Sequence, residues 1–230
     1  MSARLVSMLA AAYLVAGAGA PSLAAQTAAP VTSVSRTDLT SAVAAHVAAD
    51  AALRTLIEDA PGRGVPVEPL LTKVREGIAK GSDAPRIREA VRVLAARLAT
   101  AKAALEPGYS VGELAAGAGA LQSGIAPSTL RDLRRAWPDR PVTVPLGVLT
   151  EMVADGVPSR SASGRLRELM LRGATGAQLV ALGSTIRADV AAGYAPGTAL
   201  ELRSKGVLSL LANPLKSTIG PATTPTRPPR

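Results

Sequence analysis

The stretch RDLRRAWPDR, residues 131–140, sets four arginines around the only tryptophan of the chain. A guanidinium presents a planar fork of N–H donors that grips two oxygens of a phosphate or carboxylate at once, so the chemistry this stretch could do is the capture of anions. Arg165, Arg167 and Arg172 repeat the theme downstream. Lys73 and Lys80 stand seven residues apart, which places them on one face of a helix. The candidate contacts to an anionic surface are therefore Arg131, Arg134, Arg135, Arg140, Arg165, Arg167, Arg172, Lys73 and Lys80. One tryptophan makes no stacking platform, so specific nucleic-acid readout is not expected.

Other chemistries find few residues to use. No cysteine is present, which removes disulfides, thiolate zinc sites and a cysteine nucleophile. His46 is the only histidine, so no HExxH pair or histidine zinc cluster can form. A serine triad built on His46 lacks a G-x-S-x-G elbow to support it. AAGAGALQSG, residues 115–124, is glycine-rich but lacks the third glycine of a dinucleotide fingerprint and follows no strand. It reads instead as close helix packing through Gly117 and Gly119. Paired carboxylates could hydrolyse a glycoside, yet Glu76 stands beside Arg75, Glu168 beside Arg167, and Asp132 between Arg131 and Arg134. Such neighbours read as weak solvated ion pairs. No catalytic residue, cofactor site or metal site is assigned; a hydrolase using carboxylates alone is the least favoured alternative.

The elements that must carry these bases follow from periodicity and punctuation. Residues 1–25 combine Arg4, an apolar run from Leu5 to Ala20 and small residues at 22–25, the pattern of a signal peptide cleaved near Ala24 or Ala25. The expected location is thus periplasmic or extracellular, with no transmembrane span in the mature chain. Losing Arg4 lowers the net charge from +9 to +8. Residues 26–37 read as a flexible lead-in and 213–230 as a disordered Pro/Thr-rich tail. Between them, 38–106 forms a helical region with a first hairpin repeat, 107–144 a helical linker with a Pro-rich connection, and 145–212 a second hairpin repeat.

The repeat is explicit. GVPVEPLLTKVREGIAKG at 64–81 returns as GVPSRSASGRLRELMLRG at 156–173, with six of eighteen positions identical. A glycine past a helix end, then Val-Pro in the first turn of the next helix, is turn chemistry. Echoes stand at Gly124-Ile125-Ala126-Pro127 and Gly193-Tyr194-Ala195-Pro196. Helical spacing predicts a helix from Asp38 to about Ala60, then helices at 84–105, from Ser110, at about 127–136, and from about 145 to 155. Ser110 with Glu113 and Thr175 with Gln178 are spaced as capping boxes. The predicted class is all-α: an array of short antiparallel helical hairpins with Gly-h-Pro turns, in two related halves at 38–106 and 145–212.

Leu-Thr pairs at 39–40, 71–72 and 149–150 resemble a motif of small, basic, all-helical periplasmic stress chaperones, in which a glutamine follows. That glutamine is absent here, with Val43, Arg75 and Val153 at or near its place, and no family is assigned. The resemblance keeps a holdase-type chaperone as an alternative. The leading expectation is an exported, non-enzymatic binding or scaffold protein of the bacterial envelope, whose arginine faces meet an anionic envelope component or protein partner.

Overall fold

The computed structural model describes residues 36–212, with side chains from Thr40 onward. The expected signal peptide, nearly all of the lead-in and the expected tail lie outside the described residues. Among the described residues there is no strand. The helices are α1 (Arg36–Ala49), α2 (Ala51–Glu58), α3 (Val67–Ala79), α4 (Ala84–Leu105) and α5 (Val111–Gln122). They continue with α6 (Pro127–Ala136), α7 (Thr143–Ala154), α8 (Ser159–Leu171), α9 (Gly176–Ala191) and α10 (Pro196–Ala212). Among the described residues no helix is long and apolar enough to cross a membrane.

The single helix expected from Asp38 to about Ala60 is instead two. Asp50 leaves helical geometry (φ −113°, ψ 100°), and its side chain accepts from the Leu53 N–H to cap α2. The second carboxylate oxygen accepts from Arg88 of α4 at 2.7 Å, so the break also ties two helices together. The sequence carries a trace of this break: the apolar spacing of three to four residues widens to six between Val47 and Leu53.

The repeated turn has one geometry in both copies. Gly64 takes φ +69° and Gly156 φ +88°, left-handed values that a side chain resists. The Val65 N–H reaches the Ala60 carbonyl and the Gly64 N–H the Pro61 carbonyl; Val157 to Met152 and Gly156 to Val153 reproduce both bonds 92 residues later. This is the Schellman arrangement, which satisfies carbonyls orphaned at a helix end. Val65 and Val157 are buried beneath their turns. Pro66 and Pro158 lie one position earlier than expected, as extended N-caps just outside α3 and α8.

Packing follows a regular rule from α4 onward, each helix touching the one two places later: α4 on α6, α5 on α7, α6 on α8, α7 on α9, α8 on α10. With no phenylalanine, the core is mainly leucine, isoleucine, valine and alanine, joined by Met152, Met170 and Trp137, and Leu53, Leu70, Leu98, Leu130, Leu146 and Leu166 are fully buried. Small residues let helices approach: a Cβ on Gly117 would stand 3.0 Å from the Ala101 Cβ, and one on Gly77 2.6 Å from Ile87 Cγ1. Gly119 faces open space, so the expected close packing belongs to Gly117 alone.

Candidate anion-binding surface

The basic stretch 131–140 spans α6 and the connection to α7, and it divides into inward and outward arginines. Glu113, at the third position of α5, forms the expected capping box: Ser110 Oγ accepts from the Glu113 N–H, and Glu113 Oε2 from the Ser110 N–H at 2.8 Å. Its other oxygen accepts from the Val142 N–H at 2.9 Å and from the Arg134 guanidinium. Arg134 also donates to the Arg140 carbonyl at 3.2 Å. This buried pair therefore fastens the start of α5, the end of α6 and the 137–142 connection to one another. Burial pushes the Glu113 carboxyl up, but the Val142 and Ser110 N–H groups and Arg134 outweigh it and leave the carboxyl below its ordinary range. Arg134, one of the expected surface contacts, thus has its side chain turned inward, only 11% exposed.

Trp137 caps α6 and is buried, its indole N–H donating to the Met170 carbonyl of α8 at 3.3 Å. Arg140 lies over the ring with its guanidinium carbon 3.9 Å from the centroid. That distance suits attraction between a cation and the negative face of the ring. Arg140 is exposed and held in place.

The remaining candidates sort by their carboxylates. Glu76 accepts from Lys73 at 2.6 Å and Lys80 at 2.5 Å. Glu168 meets Arg165 at 2.8 Å and Arg172 at 3.6 Å. The two triads occupy equivalent repeat positions, so the second copy rebuilds the same half-buried ion cluster. The partners lie three and four residues away, and the adjacent pairing expected from the sequence, Glu76 with Arg75 and Glu168 with Arg167, does not form. Neighbours in sequence point about 100° apart around a helix. Hydrogen bonds from Lys73 and then Lys80 pull the Glu76 carboxyl down to about 2. Asp132 likewise pairs with Arg135, at 3.4 Å. Arg131 and Arg167 are exposed and make no ion pair among the described residues.

Three further ion pairs, made by two arginines, hold helices together, and local spacing gives no sign of them. Arg203 of α10 clasps Asp189 of α9 through two bonds of 2.6 Å, and its hydrogen bonds lower the Asp189 carboxyl despite burial. Arg187 of α9 bridges Glu151 and the Asp155 cap of α7, each at 3.0 Å. A carboxyl acting as general acid near neutral pH needs its pKa raised. Glu113 and Asp189, the two buried carboxylates among the described residues, are both shifted the other way. His46 is half-buried in α1, and its Nε2 finds no hydrogen-bond partner among the described residues.

No protein-family model, curated protein or solved structure matches the chain.

Proposed function

We propose that this chain is an exported, non-enzymatic binding or scaffold protein of the bacterial envelope, built as an array of helical hairpins in two related halves. It holds anionic partners through α6 and α8. One observation carries the reading: on these two helices, which pack together, the acidic side chains are already engaged while arginines remain free. Asp132 is taken by Arg135, and Glu168 by Arg165 and Arg172. Among the described residues Arg131 and Arg167 have no carboxylate partner, and Arg140 is fixed on the Trp137 ring. A fixed, uncompensated guanidinium loses little side-chain freedom when it meets a phosphate or carboxylate. Lys73 and Lys80, neutralised in part by Glu76, contribute a weaker second patch.

Co-sedimentation of the purified protein with isolated envelopes across a salt series tests this. Binding fades as salt rises, because exposed charges are screened over about 8–10 Å at ordinary ionic strength. Arg131→Ser combined with Arg167→Ser weakens it, with helicity unchanged. Retention of full binding by that double variant refutes the reading. Arg134 is left intact in the test, since its loss strikes the fold.

A second reading, a holdase-type chaperone, draws on one different feature. Between α9 and α10 runs a groove of about 430 Å³ lined by Leu182, Leu202, Val207 and Leu210. Leu202 and Leu210 are each more than half exposed, and exposed apolar surface of this kind is what an unfolded chain seeks.

A further inference from the structure

The 92-residue repeat places a groove along the same face of its second helix in both copies. In the first copy Arg86, Glu89, Ala90 and Val93 of α4 line it; in the second, Gln178, Ala181, Leu182 and Thr185 of α9 stand at the equivalent positions. The second groove is mostly apolar, with Gln178, Thr185 and Arg203 in its lining, whereas the first has an arginine toward each end, Arg86 and Arg97. It measures about 630 Å³ and lies along α4 between Lys73 of α3 and Gln122 at the end of α5.

Arg86 and Arg97 are eleven residues apart on α4, three turns and about 16 Å along one helix face. Ala90, Val93 and Leu94 form the floor between them, each half-buried. Of the other three charges at the groove, Glu89 and Lys73 are in ion pairs within the fold, while Asp83 serves as the cap of α4. Glu89 is gripped by Arg92 at 2.6 and 2.8 Å, Asp83 caps the Arg86 N–H, and Lys73 is bound to Glu76. Among the described residues Arg86 makes no ion pair, and Arg97 has only the Gln122 amide oxygen at 3.3 Å.

We propose that this groove docks an acidic segment of a partner protein, with two carboxylates about 16 Å apart flanking apolar side chains. The two free guanidiniums set the carboxylate spacing, and the apolar floor takes the residues between. The separation exceeds the reach of a small dicarboxylate and matches three turns of a helix laid along α4. The groove shares no residue with the α6–α8 face, so either surface can fail without the other.

Fluorescence anisotropy with the purified protein tests the assignment. The probe is a fluorescein-labelled peptide of about 15 residues with two glutamates three turns apart on one face and leucines between them. Its counterpart carries lysines in place of the glutamates. The acidic peptide binds, and the lysine peptide binds at least about tenfold more weakly. Arg86→Glu and Arg97→Glu each weaken binding about fivefold, the scale of one exposed charge contact. Arg54→Glu, on α2 and outside the groove, changes nothing. Arg97→Gln, gentler toward Gln122, weakens binding in the same direction if the charge reversal disturbs folding. No binding of the acidic peptide, equal binding of both peptides, or unchanged binding by the Arg86 and Arg97 variants overturns the proposal. Equal competition by a single-stranded oligonucleotide also overturns it, since the groove would then be a general polyanion surface.

Discussion

Glu113 shows how one side chain can look like a local cap and yet hold three segments together. At residue scale, its removal breaks a pair in which both side chains are buried. Glu113→Gln leaves the Arg134 guanidinium buried without a counter-charge, and loss of one partner from a buried pair costs about 3 kcal/mol. The pH dependence has a definite sign. The folded carboxyl lies below its ordinary value, so the folded chain binds this proton more weakly than the unfolded chain does. The stabilisation is complete above about pH 4.3, the ordinary glutamate value. It is lost as pH falls from there through the depressed folded value. Urea midpoints of wild type and Glu113→Gln therefore stand well apart at pH 7 and converge as pH drops below about 4.3. A constant gap would show that Glu113 does not titrate with folding.

The element that organises the chain is the glycine turn. Its bonds span at most five residues, so the Gly-Val-Pro signature alone is enough to locate it in the sequence. Gly156 at φ +88° has room for a methyl group, the nearest atom to an added Cβ being Pro196 Cγ at 3.4 Å. Gly156→Ala therefore costs about 1 kcal/mol through backbone conformation. Gly156→Asn costs less, because asparagine visits this region more readily. Thermal unfolding of the two variants checks the order, and equal loss would point to a side-chain clash instead. The α1–α2 break is far harder to read from residues, since an aspartate in a helical run is also an ordinary surface residue. Asp50 caps α2 through the Leu53 N–H three residues on, and its other oxygen is held by Arg88, 38 residues away.

At the scale of the whole molecule, the apolar groove between α9 and α10 takes none of its lining from α4, α6 or α8. Free arginines stand on α4, α6 and α8, while the apolar groove runs between α9 and α10. If that groove receives unfolded chains, the protein delays aggregation of an unrelated heated substrate, and Leu202→Asp with Leu210→Asp abolishes the delay without altering helicity. An unchanged delay in the double variant, or none in the wild type, removes the chaperone reading. Because the two surfaces are separate, the Arg131 and Arg167 changes leave this activity intact.

The sequence by itself determined the all-helical class, the capping boxes at Ser110 and Thr175, the extent of α4 and α6, and the duplicated turn. Each of these rests on bonds or periodicities that close within a few residues. Tertiary structure alone decided which arginines are free. Arg134 and Arg131 look alike in RDLRRAWPDR, yet one turns inward to a carboxylate 21 residues away while the other stays in solvent. The same stacking brought Arg187 to Glu151 across 36 residues and set Arg86 and Arg97 along an open groove. Charge is written in the sequence, but whether a charge is spent inside the fold depends on which helices lie side by side, and no local spacing encodes that.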